Sequence, residues 1–571
     1  MTRLAIDPVT RVGGPLRIEV DVQGGVVADA WAAATMFRGL EGTLIGRDPR
    51  DAWLMAQRIC GACNGVHALA SVRAVERALG IAIPGNARIV RNILAGSQLV
   101  TGHVTGFYRR QLPDWADLLA GAAGDPTAAS ELARSISDSP SSSTTYFQGV
   151  RERLASLVDS GRPGIFTPSA APAAANGAAA YRLSPAASLV VAAHSLEALE
   201  WRRTMTRFHT FLGGKSPHPQ TFVVGGMTLT PPWGGPARAT SGEHPRRPQS
   251  SAPLPLGERG LSVLASLIAG ARDFVDQVYL PDVLYLADAY RDEAELGRGL
   301  GNLLAFGEFP EDDTDEPKLL LPRGRLMDGD LTTIEAVDQA GVGESVASTH
   351  DLEDATLRHP SEGRTNPRYQ GPPAPVTTLE GATRYSWAKA PRYWDDPLET
   401  GAAARMAVVY AARGEPYSVV ARILANLGLE PGALASTLGR VVARAIEAKL
   451  VVDRLDGWLG ELKSNLASGD LALADLSDWD PSSWPSEVEG WSLGESSGGA
   501  VGHWLRIRDR RIAAYQVVDG STWNLSPRDG RGRRGALEEA LVGTPVPDPA
   551  SPIEVLRAVH SFDPCPACAV Q

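Results

Sequence analysis

The sequence predicts an α+β protein, mainly helical, with a central bundle of long helices and peripheral β-hairpins and small sheets. Three observations predict it. Apolar residues recur at helical spacing over long stretches in the middle of the chain. Alternating apolar patterns flanked by turn residues are confined to the two ends. The polar, breaker-rich segments between helical stretches have no periodicity of their own, so they read as insertions.

Taken in order, residues 16–35 alternate through Leu16, Ile18 and Val20, pause at Gly24-Gly25 and resume at Val26-Val27, which reads as a β-hairpin. A helix is expected after Asp48-Pro49, leading into the first cysteines. From Asn86 to Gln111, Ile93, Val100, Val104 and Phe107 recur at helical spacing. A second long helix is expected over 186–212, with Leu189, Ala193, Leu196 and Leu199 on one face. A third runs from Leu434 through Leu438, Val441, Ala445 and Val452 to Leu459, long enough to cross a domain. Helices of this kind pack as a bundle. Surface loops are expected at the serine-rich 136–145, the Pro/Gly-rich 230–257, the acidic 310–317 and the proline-rich 359–376. Near the end, Trp504–Arg508 and Ile512–Val518 read as a hairpin turning at Asp509-Arg510. No internal repeat is present. The chain is expected to form one unit over 1–571: an N-terminal β region (about 1–85), a helical core with loop insertions (about 86–470) and a C-terminal β region (about 471–571).

Hydrophobic content of 43% and charged content of 21% are those of an ordinary globular protein. A net charge of −11 argues against nucleic acid or an anionic membrane as partner. The N-terminus, Met1 to Pro8, lacks the apolar segment of a secretory signal. The most apolar helical stretch, Ala186–Leu199, is interrupted by His194, Ser195 and Glu197, so no direct membrane span is expected. If the protein is exported, a partner is expected to carry the signal.

All four cysteines lie in two Cys-x-x-Cys pairs, Cys60/Cys63 near one end and Cys565/Cys568 at the other. Disulfide scaffolds are short and cysteine-dense, which this chain is not. Loop-closure entropy grows only logarithmically, about 0.6 kcal/mol per doubling, so the separation does not forbid a shared site. Two chelating thiolate pairs suit one four-sulfur metal site. Zinc ribbons keep their pairs close in sequence, and a redox Cys-x-x-Cys usually opens a helix in a βαβ unit. Structural zinc and redox thiols nevertheless stay open on spacing alone.

Longer segments surround these pairs. Arg58-Ile59-Cys60-Gly61-Ala62-Cys63 with His67, and Asp563-Pro564-Cys565-Pro566-Ala567-Cys568, resemble the two signatures of nickel–iron hydrogenase large subunits of the uptake type. The resemblance continues in order through Ile6–Arg11, Phe37–Glu41, Gly46–Asp51, Gly213–Gln220, Lys389–Tyr393, Ser521–Asn524 and Leu541–Pro545. It implies that fold and heterolytic, reversible oxidation of hydrogen (H2) at a Ni-Fe(CO)(CN)2 centre. Cys60 and Cys565 would be terminal nickel ligands; Cys63 and Cys568 would bridge to an iron carrying CO and cyanide. His67 would donate to a bridging sulfur, and Ser521 to a cyanide. Glu41, the backbone carbonyl of Leu525 and the terminal Gln571 would hold a magnesium ion (Mg2+), Gln571 standing where the family often ends in histidine.

The resemblance also shows departures. Gly498, in Glu495–His503, stands where the family has an arginine. Gly102, before His103, stands for an aspartate, and Gly13, in Arg11–Pro15, for a glutamate. Heterolytic cleavage needs a metal to take the electron pair, a base for the proton and fixed charges near the open position. An intact metal site with a roomier outer cavity is therefore expected. The proton would leave from the thiolate of Cys565 or Cys60, with Asp563, His503 and His103 as candidate participants. The alternative is a subunit that assembles the site but serves as a sensor or acts on another small substrate. No cysteine remains for an electron wire, so an iron–sulfur small subunit is expected as partner, in a heterodimer or larger assembly. The expected location is the periplasmic face of a membrane, reached through that partner's export signal; the cytoplasm is the alternative.

Overall fold

The computed structural model describes residues 2–167, 180–229, 256–314, 316–352, 356–369, 378–380 and 382–571. Most of the expected 230–257 loop and the end of the 359–376 loop lie outside the described residues. The N-terminal hairpin is present as β2 (Leu16–Gln23) and β3 (Val26–Ala34), antiparallel with Val20 opposite Ala30. Gly24 and Gly25 both take left-handed φ (60° and 80°), as a tight two-residue hairpin turn requires. A strand β1 (Thr2–Ile6) adds to the outer edge of β2. It has no counterpart in the sequence reading because it is a half-exposed edge strand with no buried face to impose alternation.

The helix expected before the first cysteines is a short helical run, a 3-10 turn over Pro49–Asp51 followed by Ala52–Ala56. Beyond the pair comes α1 (Asn64–Leu79), which Cys63 caps at its start and Gly80 ends in the left-handed conformation. The bundle consists chiefly of α2 (Gly85–Gly106), α3 (Pro185–Gly213), α4 (Glu258–Phe274) and α5 (Thr437–Ala467). At 31 residues α5 spans about 46 Å, and it packs along α2 and α4. Its N-terminus is capped by Ser436, whose hydroxyl accepts from the Gly439 N–H. The apolar spacing of α5 hides a second feature. Arg440, Arg444 and Glu447 are buried on it, and Glu447 is gripped by Arg405, which also reaches Glu495 at 2.6 Å.

Three antiparallel strands follow: β4 (Glu487–Ser496), β5 (Gly499–Arg508) and β6 (Arg511–Val518). The β5–β6 turn falls at Asp509-Arg510, both left-handed. Strand β4 was not legible, since Gly490 and Gly494 interrupt its pattern where it packs against α1. The chain closes through α6 (Gly520–Asn524), α7 (Ala536–Leu541), α8 (Ile553–Ser561) and α9 (Pro566–Ala569).

The ends of the chain are joined by apolar packing and backbone hydrogen bonds. Leu16, Ile18 and Val20 share one cluster with Leu537, Leu541, Val555 and Val559. Each such side chain stabilises by roughly 1.5–3 kcal/mol when fully buried. The Val27 N–H bonds the Thr544 carbonyl at 2.9 Å, and the Gly543 N–H returns to Val27. Closer to the cysteines, the Gly13 N–H donates to Pro564 and the Ala567 N–H to Gly13, both at 3.0 Å. The main cluster runs from Leu44 to Cys568 and takes in the bundle helices. No described helix is long and apolar enough to cross a membrane.

Candidate metal centre

Each cysteine pair sits at the entry to a helix. Cys60 leaves the 3-10 turn Gln57–Ile59 in extended conformation, and Cys63 caps α1. Cys565 caps α9, after Asp563 turns the chain out of α8 with a left-handed φ of 53°. The four sulfurs converge. Cys60 Sγ lies 3.9 Å from Cys565 Sγ, and Cys63 Sγ lies 3.7 Å from Cys568 Sγ. Cys568 and Cys565 approach to 2.6 Å, longer than the roughly 2.05 Å of a disulfide, and all four are free thiols. A metal–sulfur bond of about 2.3 Å in a tetrahedral arrangement gives sulfur–sulfur edges of about 3.7–3.8 Å. The two cross-chain edges match that value.

Charge supports the same reading. Hydrogen bonds from Cys565, Cys568 and Cys63 push the Cys60 thiol well below the ordinary range. Hydrogen bonding to Cys565, Cys60 and Cys63 pushes Cys568 well above it. Sulfurs packed this closely cannot all carry negative charge unaided. Only a cation among them lets all four ionise together. The donor set therefore fits a soft transition-metal centre.

His67 is fully buried. Its Nδ1 lies 3.1 Å from His503 Nε2, and His503 Nδ1 lies 2.7 Å from the Tyr515 hydroxyl. Its Nε2 has no hydrogen-bond partner among the described residues and lies 3.7 Å from Asp519. His67 and Asp519 form a metal-compatible group with Cys63 and Cys568, their ligand atoms within 4.8 Å of one another. Desolvation lowers His67 to about 4, so its imidazole is neutral at pH 7. Burial raises Asp519 to about 7. The Ser521 hydroxyl accepts from the Cys565 N–H at 3.1 Å, leaving its own proton to donate. Asp519 was missed in the sequence. The available signal was its place as N-cap of α6, in a capping box with Thr522 just ahead of Ser521.

The cysteines open onto a cavity of about 350 Å³ whose lining includes Arg58, Arg110, Ser497, Gly498, Ser521 and Asp563. The expectation of a roomier cavity needs correction at two of the three glycines. A Cβ on Gly13 would stand 2.7 Å from Cys565 Sγ, and one on Gly102 would stand 2.8 Å from the Ser497 hydroxyl. Neither position is a vacancy. At Gly498 the nearest atoms would be 3.6 and 3.9 Å away, so only there does space stand open. Asp563 is at the cavity wall, paired with Arg110 at 2.7 Å. His503 backs His67, but His103 does not line the cavity; it bonds Glu447 at 2.6 Å within the buried Arg405 network.

A second, smaller site lies beside the first. Glu41 is buried, accepting from the Val517 N–H at 2.8 Å and from Gln516 and Thr365. It shares a cavity of about 10 Å³ with Gln571, Glu344, Asp351 and Lys389, room for one water-sized body. Gln571 Oε1 is buried there without a hydrogen-bond partner among the described residues, while its Nε2 donates to Ala567 and Cys568. The oxygens of Glu41 and Gln571, with Glu344 and Asp351 on the same wall, fit a hard cation beside the Lys389 ammonium, which lies 3.7 Å from Glu41 and 3.3 Å from Glu344. Leu525 does not line this cavity. It packs in the apolar cluster against the N-terminal strands, because the short turn of α6 carries it past the site, and Val517 lines the cavity instead.

Fold and site together define a metalloprotein whose sulfur centre is assembled from both ends of one chain. The family model for nickel-dependent hydrogenase matches residues 38–571. The hydrogenase-1 large chain of Citrobacter freundii is 40% identical over 587 residues, covering 99% of this chain and 94% of its own. The uptake hydrogenase large subunit of Rhizobium leguminosarum bv. viciae is 40% identical, with the same coverage. Among solved structures, the reduced, active Ni-Fe-Se hydrogenase of Desulfomicrobium baculatum superposes with a TM-score of 0.77 at 32% identity, over 100% of both chains. The chain belongs to the nickel-dependent hydrogenase family and is a catalytic large subunit, an oxidoreductase with the fold of NiFe(Se) hydrogenase large subunits. A large subunit implies a small-subunit partner.

Proposed function

We propose that the chain oxidises hydrogen, in a reversible heterolytic reaction, at a nickel–iron centre held by Cys60, Cys63, Cys565 and Cys568. The observation that carries this reading is the meeting of thiols from opposite chain ends at 3.7 and 3.9 Å. Cys60 and Cys565 would hold nickel as terminal ligands, and Cys63 and Cys568 would be shared with an iron bearing CO and cyanide. When bound, the centre supplies the electron-pair acceptor for splitting hydrogen.

The chain supplies the rest. Cys565 Sγ, against the Gly13 carbonyl at 3.6 Å, is assigned as the first holder of the proton. Gly13 offers no carboxyl to receive it. Asp563, on the wall of the same cavity, is assigned as the next polar group on the way out. Ser521 is assigned to donate to a cyanide, and His67 Nε2 to a bridging sulfur, which orients both ligands. Glu41 and Gln571 Oε1 are assigned to a magnesium ion. An iron–sulfur small subunit is assigned as the route for electrons, in a heterodimer or larger assembly. The uptake-type relatives favour oxidation as the working direction. The periplasmic face of a membrane is assigned as the location, reached through the partner's signal.

The heterodimer should reduce a redox dye in the presence of hydrogen and show infrared bands of iron-bound CO and cyanide. Bands without any dye reduction would favour a sensor over an enzyme. Absence of both contradicts the proposal.

A further inference from the structure

Arg38 and Arg58 line the cavity beside the first cysteine pair, and a third arginine reaches it from an unexpected direction. Helix α2 does not simply end at Gly106; it passes into a π-helical turn over Phe107–Gln111. Such turns re-aim side chains and are common at functional sites. Here the turn carries Arg110, whose guanidinium lines the same cavity as the four cysteines. Arg110 Nη2 lies 2.7 Å from Asp563 Oδ1 and 3.0 Å from Oδ2. Gly106 makes room for this pair: a Cβ there would stand 3.2 Å from Arg110 Nη2 and 3.7 Å from Asp563 Oδ2. Behind it, Arg444 lies 3.8 Å from Asp563 and is fixed by the carbonyls of Ser497 and Ser561. Gly498, on the same wall, contributes no side chain.

We propose that Arg110 is a positioning residue of the metal centre, holding the Asp563 carboxylate at the cavity wall and supplying the fixed positive charge that Gly498 does not. The proposal rests on the hydrogenase reading above. Asp563 lies on the turn between α8 and the cysteine pair, so its anchorage sets the orientation of the carboxylate relative to Cys565. Arg110 and Arg444 both face the one Asp563 carboxylate, so this wall keeps a net positive charge, which acts on the centre more strongly in a partly enclosed cavity than it would in water. The competing account is an ion pair that merely ties α2 to the C-terminal segment.

The test uses the holo heterodimer with Arg110→Leu, Arg110→Lys and the double variant Arg110→Leu/Gly498→Arg. Arg110→Leu is expected to lower kcat for hydrogen-dependent dye reduction about 10²-fold, with a smaller change in KM, and to shift the CO and cyanide bands. Arg110→Lys should keep most of the turnover. The double variant should recover at least about tenfold over Arg110→Leu, because a guanidinium at 498 enters the same cavity. Unchanged turnover and unshifted bands in Arg110→Leu, whatever happens to its melting temperature, would overturn the proposal. So would a fully metallated double variant with no recovery. Missing bands in the wild-type heterodimer would instead contradict the cofactor assignment, and this is seen before any substitution is made.

Discussion

A Cβ on Gly13 would press on Cys565 Sγ at 2.7 Å and on the Cys565 backbone at 3.1 Å. Gly13→Glu therefore cannot simply restore a carboxyl. It is expected to lower stability by about 1–3 kcal/mol, the usual cost of overpacking, and to reduce nickel content, measured by thermal unfolding and metal analysis. Gly498→Arg meets no such obstacle and is expected to leave the melting temperature nearly unchanged. With Arg110 already in the cavity, it should raise turnover less than threefold, a smaller gain than filling an uncharged cavity would give. The cysteines and His67 were legible because their motifs are local. The packing that makes Gly13 and Gly102 tight was not, because it comes from Cys565 and Ser497, residues far away in the chain.

The long helices were legible because each keeps one apolar face over many turns, as in α2, α3 and α5. The short helix α7 was not, although it carries a distinctive group. Glu538 is buried on it, accepting from the Tyr385 hydroxyl at 2.7 Å and from the Ala32 N–H of β3 at 3.1 Å. Burial raises its carboxyl from an ordinary 4.5 to about 7, the bonds from Tyr385 and Ala32 opposing the rise. A raised carboxyl favours folding while protonated. That contribution is fully present below about pH 4.5 and is lost as the pH climbs through about 7. Glu538→Gln stays neutral, so it should flatten the fall in stability between pH 4.5 and 7, followed by urea unfolding across that range. An unchanged slope would show that Glu538 is not its source.

At the scale of the whole molecule, the N-terminal sheet and the C-terminal helices share one apolar cluster, and this delivers the second cysteine pair to the first. The convergence could be inferred from motif resemblance, but no local pattern encodes it. It depends on side chains such as Leu16 and Val559 that lie more than five hundred residues apart. The two arginines around Asp563 were equally hidden, Arg110 in a π-helical turn and Arg444 in what reads as an apolar helix stripe. The proposal that these distant segments jointly bind nickel and iron rests on that convergence. Elemental analysis of the purified heterodimer, wild type beside Cys60→Ala and Cys565→Ala, tests it most directly. The wild type should hold one nickel per large chain and iron beyond what the partner's clusters hold, with no nickel once either cysteine is replaced. Zinc in place of nickel, or nickel retained in both variants, would contradict it.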